Sequence, residues 1–186
     1  MESRLPLRLP PQPAWAVDHE CLTLKTLEPQ QFIDITERVL SCVLASGISD
    51  GTVTVQSLHT TAAILVNEHE PLLLDDLGRV LAGWAPAEAQ YSHDDFERRT
   101  ANMTPGERPN GHAHARAMAL QVSATLAVIN AEVRIGRWQR IFLVELDGPR
   151  SREVAVTTAG LSRTGPRERL AFTSAFPQFV EDSTCG

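Results

Sequence analysis

At 186 residues, 42% hydrophobic and 22% charged, the chain has the size and make-up of one globular domain, which excludes a disordered or collagen-like polymer. Seventeen Lys and Arg against twenty-three Asp and Glu leave a formal charge of −6, so a general nucleic-acid binder, which needs a net basic surface against phosphates, is excluded as well. Cys21, Cys42 and Cys185 are far apart and form no CxxC pair; they suggest free thiols in a reducing compartment and rule out a cysteine zinc cage.

In chain order, residues 1–14 read as a flexible leader, because Pro6, Pro10, Pro11 and Pro13 break any apolar helix behind Arg4 and Arg8. No apolar run approaches the roughly 18 residues of a membrane span, and the expected location is cytoplasmic, away from any membrane. Trp15 to Leu27 alternates like a strand. Phe32, Ile35, Val39, Leu40, Val43 and Leu44 recur at helical spacing, with Thr36 as a possible N-cap and Gly47 past the end. TVTVQSLHTTAAILV is β-branched, and Pro71 opens a helix whose Leu73, Leu77, Val80, Leu81 and Trp84 make one stripe. Residues 85–111 read as a long loop, of the kind that is usually functional or disordered. HAHARAMAL is a short helix candidate. LQVSATLAVIN, EVRIGRWQRIFLVELDG and EVAVTT read as consecutive antiparallel strands turning at Asn130 and Gly148. Residues 159–186 read as a tail, which leaves one domain over 15–158. The expected class is α+β, a mainly antiparallel sheet or sandwich flanked by two or three helices.

Several clusters could carry chemistry. His59 ends a face begun by Val53, Val55 and Ser57, so an apolar inward face turns polar as at a pocket mouth; a strand-capping histidine bonded to Thr60 or Thr61 is the alternative. Asn67 and Glu68 stand at a strand end, before Glu70 and Pro71 open a helix. Asp75 and Asp76 lie about 100° apart on that helix, so one could be solvated and the other point inward. Tyr91, His93, Asp94 and Asp95 offer metal ligands or a general base with an orienting acid, or else a hydrated loop. His112 and His114 diverge if they lie on a helix, leaving at most one for a shared site. In residues 136–150, Gln139 and Glu145 bracket Ile141 and Leu143 on one face of a strand, and Trp138, Arg140, Phe142 and Val144 share the other. Four of the six histidines thus fall near carboxylates, as in a metal or acid–base site.

The ordered set IDIT (33–36), HTTAAI (59–64), NEHEP (67–71) with LLLDDL, YSHDD (91–95), HAHAR (112–116) and GRWQRIFLVELDGPR (136–150) resembles the YjbQ family, also called the secondary thiamine-phosphate synthase family. The resemblance covers about residues 15–158. It implies a small α+β fold, a homotrimer, and a low, secondary thiamine-phosphate synthase activity, joining hydroxymethylpyrimidine diphosphate to thiazole phosphate with loss of pyrophosphate. The family's recurring residues fall on His59, Thr60, Asn67, Glu68, Asp76, His93, His114, Trp138 and Gln139, whereas His112 and Asp75 match only some versions of the motif. The expectations are Asn67, Glu68, Asp76 and Gln139 as catalytic groups and His59, His93 and His114 as metal ligands. Many members have lysine where this chain has Arg116, which suits a phosphate clamp but not proton transfer. Glu68 and Asp76 would suit Mg²⁺, and three histidines suit zinc better. The alternative is a trimeric module that binds a metal or anion without turnover.

Overall fold

The computed structural model describes residues 13–162. In chain order its elements are β1 (Ala14–Lys25), β2 (Phe32–Asp34), α1 (Thr36–Ser46), β3 (Ile48–Ser57), β4 (Ala62–Glu68), α2 (Pro71–Trp84), α3 (Gly111–Met118), β5 (Ser123–Ile129), β6 (Glu132–Val133), β7 (Gln139–Glu145) and β8 (Ser151–Ser162), with a 3₁₀ turn at Ser92–Asp94 before α3. The strands form two antiparallel sheets, ordered β1-β8-β3-β5-β6 and β2-β7-β4. This is the α+β class the sequence predicts.

The period-two alternation of β7 decides the layering. Ile141 and Leu143 face a core shared with Val53, Val55, Val154 and Val156 of the larger sheet and Ile35, Val39 and Val43 at and along α1. Phe142 and Val144 face the other way, against Leu81 of α2 and Ala113 of α3. A strand covered on both faces reads as the continuous apolar run IFLV. No helix among the described residues is long and apolar enough to cross a membrane.

Several elements depart from the sequence reading, each because tertiary pairing overrides local pattern. Phe32 to Asp34 pair with β7 instead of opening α1, and Thr36 is no N-cap: Ile35 holds that position, and the Thr36 hydroxyl accepts the Ile141 N–H at 2.8 Å. Asp34 substitutes by accepting the Thr36 N–H at 2.9 Å. The stripe on α2 is only partly covered: Leu81 is buried and Leu73 and Leu77 half-buried, but Val80 is 67% and Trp84 51% exposed. The three late strands are not consecutive neighbours: β5 and β6 form a hairpin over the left-handed Asn130 and Ala131, and β7 leaves for the other sheet. The last strand continues past Thr158 to Ser162, so Ala159 and Gly160 are sheet residues, not tail. The leader up to residue 12, the remainder of the tail from 163, and Cys185 lie outside the described residues.

Candidate functional site

Where β3 and β7 finish and β4 and β8 begin, Ala62 pairs with Glu145 and Ser57 with Val154, so four strand ends meet at one edge of the molecule. A cleft of about 980 Å³ opens there, between this sheet edge and the segment from the 3₁₀ turn to α3.

The sheet side is built on a buried carboxylate. Glu145, fully buried, accepts the N–H groups of Leu146, Asp147 and Gly148 at 3.0, 2.9 and 3.2 Å, the Thr26 hydroxyl at 2.8 Å, and Arg152 Nε at 2.7 Å. Burial pushes its pKa up, but the bonds from Arg152, the backbone and Thr26 outweigh that and hold it below the ordinary value. Arg152 reaches on to the Thr61 hydroxyl at 3.0 Å. His59 follows β3, and its Nε2 accepts the Glu153 N–H at 2.7 Å. That nitrogen therefore carries a lone pair, and in the neutral ring the proton sits on Nδ1. Burial and the nearby Arg152 lower the pKa of the ring.

Opposite, Asp94 Oδ1 accepts the N–H groups of Asn110 and Gly111 at 2.8 and 2.9 Å, which fastens the 3₁₀ turn to the start of α3. Gly111 is required there, since a Cβ would stand 2.4 Å from that of Tyr91. The result sets His93 against His114, ring centres 4.5 Å apart. Burial and then His93 lower the His114 pKa. Asn110 donates to Asp147 across the cleft floor at 3.2 Å, and its Oδ1 and His93 Nε2 are buried without a partner. The Arg99–Glu107 pair, at 2.6 Å, ties the intervening loop to itself.

Of the residues expected in the site, His59, His93 and His114 share this cleft. His112 points into the protein at 9% exposure, as helical divergence requires. Arg116 is buried, with Nε donating to the Ala85 carbonyl at 2.9 Å, and does not line the cleft. Glu68 pairs with Gln139 and Asn67 with Arg140 at the other end of the β4–β7 ladder, about 20 Å away at roughly 3.3 Å per residue. Gln139 there accepts the Gly136 N–H, and Asn67 accepts the N–H of Glu68. Asp76 is exposed on α2 beside Arg79, Asp75 lines a separate shallow depression, and Trp138 is exposed with Arg137 stacked 4.6 Å from its ring centre.

The donor set does not fit the expected three-histidine metal site. His59 Nε2 is already an acceptor for a backbone N–H, and its other nitrogen carries the proton. His93 and His114 alone fall short of the three protein ligands of catalytic zinc sites. Among the described residues no group of three or more His, Cys, Asp or Glu could hold a metal ion. Sequence reasoning missed Arg150, Arg152, Arg99 and Asn110. The one signal for the first two was a pair of arginines beside the Asp-Gly turn that precedes β8.

Fold and cleft together define a two-sheet α+β domain with a histidine- and arginine-lined site at its strand ends. The family model described as UPF0047 protein YjbQ-like matches residues 20–161, and the chain belongs to that family. It is 40% identical over 139 residues to a UPF0047 protein of Methanothermobacter thermautotrophicus, covering 75% of this chain and 90% of that one. The UPF0047 protein YugU of Bacillus subtilis is 30% identical over 140 residues, 75% of this chain and 97% of that one. Among solved structures, a YbjQ-like protein of unknown function from Sulfolobus solfataricus superposes with a TM-score of 0.71 at 31% identity, covering 79% of this chain and 99% of that one.

Proposed function

We propose that the cleft is an active site for a phosphorylated small molecule, and that thiamine-phosphate synthase chemistry runs there as a secondary activity. The observation that carries this is the way charge is arranged around the cleft. In a chain of net charge −6, the cleft is lined by Arg98, Arg99, Arg150 and Arg152 and by three histidines; each arginine pairs with a carboxylate, and of those acids Glu107 alone lines the cleft, while Asp95, Asp147 and Glu145 do not. Departure of pyrophosphate is limited by negative charge on the leaving group, which preset guanidinium and imidazole N–H donors stabilise. His93 and His114, side by side, are the groups suited to proton exchange near the reacting atoms.

In this reading the protein works in the cytoplasm as a homotrimer, with the uncovered Leu72, Val80 and Trp84 of α2 available for contact between copies. The far-end group of Asn67, Glu68 and Gln139 is outside the chemistry of a single chain, and so is Asp76. The test supplies both thiamine precursors to purified protein and follows thiamine phosphate and pyrophosphate. Turnover is expected in the wild type and lost in His114→Ala. Equal product from both proteins would remove the assignment, and ligand binding without any turnover would leave the non-catalytic anion-binding module.

A further inference from the structure

We infer that the oxyanion subsite of the cleft lies on its sheet side, where Arg150 grips the phosphate group of the ligand. This rests on the cleft being a site for phosphorylated molecules and specifies which wall takes the phosphate.

The sheet side presents donors. Arg150, Arg152, the hydroxyls of Thr60 and Thr61, and His59 all line it. His59 belongs with the donors because the Glu153 N–H occupies Nε2 and leaves the hydrogen on Nδ1. The carboxylates that balance the two arginines stand behind the surface, with Glu145 0% and the Asp147 side chain 3% exposed. A wall with cationic donors in front and acids in the rear fits an oxyanion and disfavours a cation. Glu107, the carboxylate that does line the cleft, belongs to the opposite side.

The two arginines divide the work. Arg152 is 3% exposed and commits Nε to Glu145 and Nη2 to Glu145 and Thr61, so it contributes field more than contact. Arg150 is 38% exposed, pairs with Asp147 through Nη2, and has further N–H groups on the same planar fork. Its backbone is anchored: the Arg150 N–H donates to the Thr26 hydroxyl at 2.9 Å, and Thr26 in turn bonds the Glu145 carboxylate that gathers the preceding turn. An arginine fixed at its root with free donors at its tip is preorganised for bidentate phosphate contact. Arg116, the clamp expected from sequence, has no such access.

The experiment titrates the purified full chain with inorganic pyrophosphate and with inorganic phosphate in a calorimeter. The wild type is expected to bind pyrophosphate, and Arg150→Ala to weaken it roughly 10- to 100-fold, as loss of a charge-assisted contact does. Arg150→Lys should recover only part, since lysine is a point charge without the fork. Arg134→Ala removes the same charge from an exposed position after β6 and should stay within about twofold: Val133 of β6 pairs with Val128, which pairs with Gly51, six residues along β3 from Ser57 at the cleft edge, and exposed charge is largely screened beyond about 10 Å. Unchanged affinity in Arg150→Ala and in a folded Arg150→Gln, or an equal loss in Arg134→Ala, overturns the assignment. Absent precursor turnover with Arg150-dependent pyrophosphate binding would defeat the proposed reaction and leave the subsite; turnover with Arg150-independent binding would do the reverse.

Discussion

The two ends of the β4–β7 ladder carry similar residue types and have opposite physical character. At the Ala62–Glu145 end, polar groups are buried, bonded several times over and walled into a cleft. At the Glu68–Gln139 end, Glu68 and Gln139 are exposed, Asn67 and Gln139 bond to near chain neighbours, and Arg140 makes partly exposed ion pairs with Asp34 and Glu37. Position along a strand, and not residue type, decided which acids and amides can be held in a fixed geometry. The near end has several elements converging in a buried arrangement; at the far end the charged side chains of β2, α1 and β7 meet in partly exposed ion pairs.

The sharpest way to break this contrast is through turnover. His114→Ala is expected to lower kcat/KM with the thiamine precursors by about 10²- to 10⁴-fold, the usual worth of a proton-transfer group. Glu68→Ala and Gln139→Ala should remain within about twofold of the wild type. Steady-state kinetics on the three variants decides it, and a large loss at Glu68 would join the two ends functionally.

Next in size is the buried hub. Glu145→Ala strands Arg152 as an uncompensated charge and is expected to lower stability by about 3–5 kcal/mol, read from denaturant melts. The same change at Glu68 should move stability by no more than about 0.5 kcal/mol. Gly111→Ala, whose Cβ would enter the Tyr91 side chain, should lose about 1–3 kcal/mol by overpacking and should shift His93 with it, visible as a changed imidazole resonance.

A smaller effect is pH dependence confined to the near end. Burial lowers the pKa values of His59 and His114, and also of His112, where Arg116 adds to it; each falls below the ordinary 6.5. Below about pH 6.5 the unfolded chain binds protons that the folded chain excludes, so stability should fall on acidification and be flat above that range. Melting temperatures from pH 7.5 to 5.5 check the slope, and His112→Gln should make it shallower, with His59 and His114 supplying the remainder. Least of all, a chelator should leave the melting temperature unchanged, because the His59 ring is committed to the Glu153 N–H. A drop would mean that the ring turns to take a metal.

Much of the fold was legible locally. Pro71 at the first position of α2, with Glu70 accepting the Leu72 and Leu73 N–H groups at 3.0 and 2.8 Å, follows from chemistry within four residues. The same holds for Gly47 closing α1 in the left-handed region, and for the divergence of His112 from His114 on α3. The gathering of His59, His93 and His114 was legible as an expectation, since each lies beside a turn or strand end. Thr36 shows the limit: its composition reads as a cap, yet its hydroxyl bonds Ile141, distant along the chain.

Sequence by itself determined the class, the family and most of the element types, because period, caps and turn residues act over a few positions. Tertiary structure alone decided that β7 belongs to the smaller sheet, that Glu145 and Arg152 meet beneath a cleft, and that Glu68 and Gln139 stand at the end of the β4–β7 ladder about 20 Å from its cleft end. Those outcomes depend on which distant strands pair and in what register, and a one-residue change of register would have turned every side chain of β7 to its other face.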